Sequence, residues 1–243
     1  MSLIVVIPAY QAERHIGAVL SRVLSVSESA LARIVVVDDG SRDATRQRVV
    51  EFSERVEGAI PIELVARVRN GGYGAAMKDG LAAARTHAPE IVACVHADGQ
   101  YSPEALPALC AALRERRLDL LQGSRIASGT ALSGGMPMYK YAANAVLNRI
   151  ENQTLKLSMT DYHSGYLVYG QRVLQTIPFA RLSDSFDFDL EVIASARARG
   201  LAVGEAPVPT HYGDEVSHLR PIRYGLRVLR VMWNYRRGHY DPS

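Results

Sequence analysis

Arg33-Ile34-Val35-Val36-Val37-Asp38-Asp39-Gly40-Ser41 is the stretch that decides the fold, because an apolar run ends there in two carboxylates and a turn. Similar apolar runs occur on either side of it along the chain. The predicted strands are residues 3–7, 33–38, 62–68, 91–96 and 119–122. Uniformly apolar runs of this length are typical of strands that are covered on both faces.

Helical patterns separate these strands, at residues 12–25, 44–56, 74–86 and 103–116. A repeated β-α unit predicts an α/β fold with a doubly wound, Rossmann-like sheet in an α/β/α sandwich. Ligands of such sheets bind beyond the carboxyl ends of the strands. Polar residues are dense at those ends, in segments 8–13, 38–41 and 96–100.

The regular alternation of strands and helices ends after residue 122. Residues 123–137 are rich in Gly, Ser and Thr and predict a loop long enough to be a flap. The later predicted elements are helices at 138–156 and 188–199 and strands at 165–169 and 202–208. We therefore expect one domain over residues 1–220 and a helical extension over 221–243.

Composition restricts the classes of function. The net charge of +3 does not favour a nucleic-acid partner, and two cysteines are too few for a disulfide framework. No apolar run reaches the roughly 18–20 residues that span a bilayer, and the N-terminal run is too short for a signal peptide. We expect a cytoplasmic protein, with peripheral contact at the inner face of the plasma membrane as an option.

That option comes from the helical pattern at residues 221–237. Arg223, Arg227 and Arg230 share one face, and Ile222, Leu226, Leu229 and Trp233 share another. One interpretation is a helix packed on the domain with a solvated arginine face. The other is a basic helix lying on an anionic membrane surface.

Asp38 and Asp39 are the first candidate site residues. At a strand end, a carboxylate can accept hydrogen bonds from a nucleobase or a ribose hydroxyl. Alternatively, Asp38 or Ser41 caps the following helix, with Asp43 in its first turn.

His96, Asp98 and Gln100 are the second set. In an extended segment they would point to one side, where imidazole, carboxylate and amide oxygen suit Mn²⁺ or Mg²⁺. The competing interpretation is a polar turn before the helix that Ser102-Pro103-Glu104 opens.

The third candidate is the glycine-rich loop Asn70-Gly71-Gly72-Tyr73-Gly74-Ala75-Ala76. It opens a helix and could bind phosphate through free N–H groups. Equally, its glycines could allow close packing of that helix on the sheet. Its spacing does not match a dinucleotide fingerprint.

Together these blocks resemble the family 2 glycosyltransferases of GT-A fold, and among them the dolichyl- or polyprenyl-phosphate sugar transferases. The resemblance extends over residues 3–220. Its blocks are Val6-Ile7-Pro8-Ala9-Tyr10 with Glu13, Val37-Asp38-Asp39-Gly40-Ser41, Asn70-Gly71-Gly72-Tyr73-Gly74, Ala97-Asp98-Gly99-Gln100-Tyr101-Ser102-Pro103-Glu104, Gly165-Tyr166, Phe188-Asp189-Leu190-Glu191 and Glu205-Ala206-Pro207-Val208-Pro209-Thr210.

The resemblance implies a nucleotide-sugar donor, UDP- or GDP-linked, and a Mn²⁺ or Mg²⁺ cofactor. Asp39 would hold the base, and Asp98 would ligate the metal with help from Gln100 and His96. In many relatives an aspartate stands in place of His96, so the chain departs from the family pattern there. The residues implied to contact the donor are Pro8, Tyr10, Glu13, Asp38, Asp39, Gly71, Lys78, Ala97, Asp98 and Arg220.

The candidates for the catalytic base are acidic residues at 184–191. Asp189 and Glu191 fit the family block, and Asp187 is a third candidate; alternatively, Asp184 or Asp187 caps the helix. Arg220, with His211, Ser217 and His218, could stabilise the diphosphate, although the two histidines could equally be hydrogen-bonded loop residues. His163 could face the acceptor or cap a turn.

The expected function is inverting, metal-dependent transfer of a sugar to a polyprenyl or dolichyl phosphate or to a glycan hydroxyl, as in cell-envelope glycan biosynthesis. The alternatives are a non-catalytic nucleotide-sugar-binding relative and a nucleotidyltransferase. The latter usually carries a basic glycine-rich loop after its first strand, where this chain has Pro8-Ala9-Tyr10.

Overall fold

A single mixed sheet organises the computed structural model, which describes residues 2–27, 30–56, 60–100, 102–129, 136–209 and 221–242. Its strands are β1 (Leu3–Ala9), β2 (Leu31–Asp38), β3 (Ile62–Ala66), β4 (Ile91–Cys94), β5 (Leu120–Ser124), β6 (Leu167–Gly170) and β7 (Val203–Pro207). They lie in the order β3-β2-β1-β4-β6-β5-β7. The predicted α/β class is confirmed.

The helices are α1 (Ile16–Ser27), α2 (Thr45–Arg55), α3 (Tyr73–Arg85), α4 (Leu106–Glu115), α5 (Met138–Leu155), α6 (Gln171–Thr176), α7 (Phe188–Ala198) and α8 (Pro221–Arg236). Short 3₁₀ turns occur at Pro103–Ala105 and Phe179–Arg181. Among the described residues, no helix has the length and hydropathy needed to cross a bilayer.

Strand β6 runs antiparallel to both of its neighbours, β4 and β5, whereas the other neighbouring strands are parallel. Its four residues are all buried. A short run that is buried on both faces carries no information about strand direction, so the sequence pattern did not predict this reversal.

Alternate side chains of each central strand enter two different cores. Ile4 and Val6 of β1 pack with α3, α7 and α8, whereas Val5 and Ile7 pack with α1 and α4 on the other face. This alternation follows from the two-residue period of a strand. The sheet is therefore covered on both faces, as the uniform apolar runs predicted.

Several predicted boundaries were wrong. β3 ends at Ala66, and Val68 is fully exposed; β4 ends at Cys94, two residues before His96. Gly123 and Ser124, expected in the flap, belong to β5, where the Gly123 amide donates to the Tyr166 carbonyl at 2.8 Å. Of the expected flap, residues 130–135 lie outside the described part of the chain.

Helix α8 packs on the domain, but not through its leucine and tryptophan face. Val228, Val231 and Met232 are buried in the core, while Leu226 and Trp233 are exposed. The buried side is the one that faces α5 and α7, and its three apolar residues lie at i, i+3 and i+4. The sequence pattern alone did not indicate that the leucine and tryptophan face is left exposed.

Gly80 of α3 gives a test of the packing between helix and sheet. A Cβ at this position would overlap Val6 Cγ1 and lie 3.0 Å from Val37 Cγ2, whereas a Cβ at Gly17 in α1 meets nothing within 4 Å. We expect Gly80→Ala to lower the free energy of unfolding by about 1–3 kcal/mol. Gly17→Ala should raise it by up to about 1 kcal/mol, as in an unobstructed helix. Urea unfolding of both variants measures the difference, and equal effects would contradict the packing.

Candidate active site

The carboxyl ends of three adjacent strands form the site. In the sheet, Ala9 at the end of β1 pairs with Asp38 of β2, and Val6 pairs with Cys94 of β4. The Asp39 amide donates to the Ala9 carbonyl at 2.8 Å. The polar segments that follow β1, β2 and β4 therefore lie at one edge of the sheet, where ligands of such folds bind.

Asp39 is a buried carboxylate that joins three elements. Its Oδ1 accepts from the Gly71 amide at 2.9 Å, and its Oδ2 accepts from the Gly72 amide at 2.9 Å. Arg67 places Nε 2.9 Å from Oδ1. A carboxylate has about four lone-pair sites, so this one is held in place and keeps capacity for a base N–H.

Asp38 faces a different set of groups. It is fully buried, accepts from the Ser41 amide at 3.0 Å, and forms an ion pair with Arg46 at 3.1 Å. Because each carboxylate has its own arginine, the two adjacent aspartates are compatible. Neither Asp38 nor Ser41 caps α2; instead Asp43 accepts from the Thr45 amide at 3.0 Å, so that interpretation was wrong.

The segment after β1 is fastened to the start of α2. The Glu13 carboxylate accepts from the Ala44 amide at 2.9 Å, and the Ala12 amide donates to Thr45 Oγ1 at 2.7 Å. Glu13 thus has a structural contact at this helix start. Tyr10 is 42% exposed and Pro8 half-buried at the sheet edge, where an aromatic ring is available to a ligand.

The glycine-rich loop packs tightly against the segment before α7. Gly72 has φ +101°, and a Cβ on Gly74 would overlap the Ser183 carbonyl. The amides of Gly71 and Gly72 donate to Asp39, and the Ala75 amide donates to the Asp184 carbonyl at 3.2 Å. Because these amides already donate hydrogen bonds within the protein, the structure favours the packing interpretation over phosphate binding.

Lys78 supports the same contact. Its ammonium donates to the Leu182 carbonyl at 3.0 Å and forms an ion pair with Asp184 at 2.5 Å. The side chain therefore holds the segment before α7 against α3. The nucleotide contact that the resemblance implied for Lys78 stays a prediction.

The segment after β4 is a turn, not an extended strand. Residues 97–98 form the turn, Gly99 has φ +76°, and the Gln100 amide donates to Asp98 Oδ1 at 3.0 Å. Asp98 is half-buried and Ala97 is buried. The expected alternation that directs His96, Asp98 and Gln100 to one point does not apply to this geometry.

His96 is directed towards the segment that precedes β6. Its Nε2 donates to the Gly165 carbonyl at 3.1 Å, and its ring centroid lies 5.4 Å from that of Tyr73. Gly165 has φ +73°, and a Cβ there would lie 2.6 Å from His96 Nε2, so the imidazole occupies the space that glycine leaves. Within the described ranges, no three His, Cys, Asp or Glu side chains are grouped as a metal cluster.

Asp189 is the buried acid beside this histidine. Its Oδ2 accepts from the Tyr73 hydroxyl at 2.8 Å, and its buried Oδ1 has no hydrogen-bond partner among the described residues. Burial raises the pKa of Asp189 to about 7, and the Tyr73 hydrogen bond acts in the opposite direction. Burial also raises the pKa of Tyr73, which therefore stays a proton donor.

Asp187 and Glu191 face away from Asp189. Residues two apart on a helix do not share a face. Glu191 accepts from the Ser183 amide at 2.5 Å and from the Tyr240 hydroxyl at 2.7 Å, and Asp187 forms an ion pair with Arg227 at 2.8 Å. Asp187 is the N-cap residue of α7 without a side-chain capping bond. Asp187 thus contacts α8, and Glu191 contacts the segment before α7 and Tyr240, so the three candidates do not form one catalytic cluster.

Two polar contacts near the site were not predicted. Tyr73 lies in the glycine block, and only the fold brings it to Asp189. The His163 side chain contacts two other polar groups: its Nδ1 lies 2.8 Å from the Tyr224 hydroxyl, and its Nε2 lies 3.3 Å from buried Glu151. Arg220, with His211, Ser217 and His218, lies outside the described residues.

Known proteins share sequence with this chain over most of its length. The family model for glycosyl transferase family 2 matches residues 4–177, more than half of the chain. The chain belongs to glycosyl transferase family 2. It is therefore a glycosyltransferase, and the conclusion agrees with the fold and with the resemblance in its motifs.

Relatives of this enzyme include two prenyl-phosphate sugar transferases. A dodecaprenyl-phosphate galacturonate synthase from Rhizobium johnstonii is 29% identical over 259 aligned residues, which cover 100% of this chain and 71% of the relative. A UDP-N-acetylglucosamine–dolichyl-phosphate N-acetylglucosaminyltransferase from Methanococcus voltae is 24% identical over 218 residues, 86% of this chain and 85% of the relative. A hexosyltransferase of low-salt glycan biosynthesis from Haloferax volcanii is 30% identical to this chain. The match covers 95% of this chain and 53% of that relative.

Among solved structures, glucosyl-3-phosphoglycerate synthase from Mycobacterium tuberculosis, in complex with Mn²⁺, UDP and phosphoglyceric acid, has a TM-score of 0.70. The identity is 17%, and the match covers 96% of this chain and 78% of the other. At this identity the likeness shows the shared GT-A fold.

The buried Asp189 predicts how stability depends on pH. Its folded-state pKa of about 7 lies above the model-peptide value of 3.8, so the native state binds the proton more tightly than the unfolded state. The stability associated with this proton is fully present below about pH 4 and is lost as pH rises through about 7. Asp189→Asn should therefore gain stability relative to wild type between pH 5 and 8, by at most about 4 kcal/mol. Thermal unfolding across that range measures the gain, and a pH-independent difference would contradict a raised pKa.

Proposed function

We propose that the enzyme transfers a sugar, with inversion, from a UDP- or GDP-linked donor to a polyprenyl or dolichyl phosphate, with Mn²⁺ or Mg²⁺ as cofactor. The names of the relatives from Rhizobium johnstonii and Methanococcus voltae support the acceptor class. The observation that carries the transfer reaction itself, whichever the acceptor, is the buried Asp189, whose Oδ1 has no described partner.

Asp39 is the group that we assign to the nucleobase. Gly71, Gly72 and Arg67 fix its orientation before a donor binds, which reduces the entropy lost on binding. Tyr10 is exposed beside it and offers a ring on which the base stacks. Pro8 and Ala97 would line the same pocket with apolar surface.

Asp98 is the group that we assign to the divalent ion. One carboxylate, together with donor phosphate oxygens, is a usual set for Mg²⁺, and Gln100 beside it could add an amide oxygen. The half-buried Asp98 fits this set, whereas His96 Nε2 is engaged by the Gly165 carbonyl. When bound, the ion neutralises charge on the leaving diphosphate.

Asp189 would act on the acceptor. In an inverting step, an acceptor oxygen forms a bond to the anomeric carbon while the carbon–oxygen bond to the diphosphate breaks, and its electron pair leaves with the nucleotide. A glycan hydroxyl, or a phosphate that still carries a proton, gives that proton to Asp189 Oδ1. A fully ionised lipid phosphate needs no base, and Asp189 would then position it through its protonated form.

A glycan hydroxyl is the second candidate acceptor. A carboxylate with a pKa near 7 favours it, because a hydroxyl needs a base and an ionised phosphate does not. A chain that binds nucleotide sugars but never turns over any prenyl phosphate or glycan would instead fit the non-catalytic alternative.

Donor binding tests the assignments of Asp39 and Asp98. In calorimetry with UDP, GDP, CDP and dTDP sugars, with and without Mn²⁺, we expect one nucleotide to bind tightly and only with metal. Asp98→Ala should lose the metal-dependent part of the affinity and at least 100-fold in turnover, because the charge on the leaving group is no longer compensated. Asp39→Ala should mainly weaken donor binding.

Glu115→Ala, which removes an exposed carboxylate at the end of α4, is the control and should leave both quantities unchanged. Full turnover by purified Asp98→Ala would sink the metal assignment.

The pH–rate profile tests Asp189 and Tyr73. With a glycan-hydroxyl acceptor, wild-type kcat should rise with pH through about 7, as the base loses its proton. Asp189→Asn should lose on the order of 10²–10⁴-fold in kcat. Tyr73→Phe removes a hydrogen bond that stabilises the carboxylate, so its profile should shift to higher pH. A profile that is identical in wild type and Tyr73→Phe would argue against this pair.

A further inference from the structure

Helices α5 and α8 contact each other and together carry most of the large exposed apolar side chains. Of the ten large hydrophobic residues that are exposed in the described part of the chain, six lie on these two helices. They are Met138, Tyr139, Val146, Leu226, Leu229 and Trp233. We call these six residues the α5–α8 face. Single exposed apolar residues need no explanation, but such a grouping indicates an interaction surface.

The α8 part of this face is not a displaced core face. The helix already fills its core positions with Val228, Val231 and Met232. Leu226, Leu229 and Trp233 recur at i, i+3 and i+7 on the opposite side, so they form a second apolar stripe. Trp233 is 61% exposed and Leu226 63%.

Basic side chains lie beside the stripe. Arg223 and Arg230 are exposed and form no ion pair with a described residue, and the Arg237 guanidinium lies 5.8 Å from the centre of the Trp233 ring. Residues 221–240 contain no acidic residue. On α5 the sole acid is Glu151, which is buried against His163. The exposed face is therefore apolar and cationic.

We propose that the α5–α8 face docks on an anionic lipid bilayer. Leucine and tryptophan insert at the headgroup level, while arginines bind lipid phosphates, as interfacial helices do. A second copy of the chain fits this surface less well, because a two-fold dimer would place the same arginines against each other.

Helix α8 of this face contacts α7, the helix that carries Asp189. Arg227 of α8 forms an ion pair with Asp187, two residues before Asp189 in α7. The purpose of docking, access to a lipid phosphate, rests on the proposed function, whereas the surface itself is tested without any acceptor.

Trp233 is the sole tryptophan of the chain, so its fluorescence reports directly on this surface. With full-length protein and vesicles of phosphatidylcholine and phosphatidylglycerol, we expect a blue shift and quenching by brominated lipid. Pure phosphatidylcholine vesicles should bind much less, and added salt should weaken the binding. An unchanged Trp233 spectrum at vesicle concentrations that sediment the protein would overturn the proposal, as would failure to sediment.

Variants separate the apolar and the basic contributions in co-sedimentation. Arg223→Gln with Arg230→Gln should lower the vesicle partition coefficient about 30-fold, since each basic residue contributes a factor of about five. The control is Arg85→Gln, an exposed arginine of α3. Leu229→Ser should lower partitioning at least about threefold, whereas Val50→Ser should not, although their exposures are 45% and 43%.

Two further measurements distinguish the alternatives. A dimer in light scattering that Leu229→Ser converts to a monomer would identify a second copy as the occupant and overturn the proposal. A transfer assay with a short, water-soluble prenyl phosphate, without vesicles, tests the function separately. Docking without transfer to any prenyl phosphate would count against the proposed acceptor and leave the surface intact. Transfer in solution without docking would support the proposed acceptor and count against the proposed surface.

Discussion

The carboxylate of Asp39 is the constraint on which the site edge depends. Two amides of the glycine-rich loop and one arginine bind it, so a single side chain links the end of β2, the exit of β3 and the entry of α3. A buried carboxylate is tolerated only when such donors compensate for lost hydration. The same donors keep its orientation fixed, and a fixed acceptor is what selective recognition of a nucleobase requires.

The entry of α7 shows how similar residues take different roles. Asp187, Asp189 and Glu191 lie within five residues, yet Arg227 and Tyr240 occupy the outer two and Tyr73 contacts the middle one. The outer pair fastens α8 to the domain. The middle acid is left in an apolar environment, where burial raises its pKa into the range useful for proton transfer.

Helix α8 belongs both to the core of the domain and to its exposed surface. One side completes the core beside α7, and the opposite side is apolar and basic. A helix with two apolar stripes has more hydrophobic surface than folding alone requires, which is why we infer a lipid partner. The ion pair between Arg227 and Asp187 makes the position of α7 dependent on that of α8.

The sequence alone determined the α/β class and the family, because these follow from apolar periodicity and from short motifs at strand ends. Tyr73 as the partner of Asp189, the turn that separates His96 from Asp98 and the outward face of Trp233 were decided by the tertiary structure. The physical reason is that periodicity identifies that a face is apolar, but not which apolar face a helix buries. Likewise, proximity in sequence does not determine direction: residues two apart on a helix diverge, whereas Tyr73 and Asp189, 116 residues apart, meet at 2.8 Å.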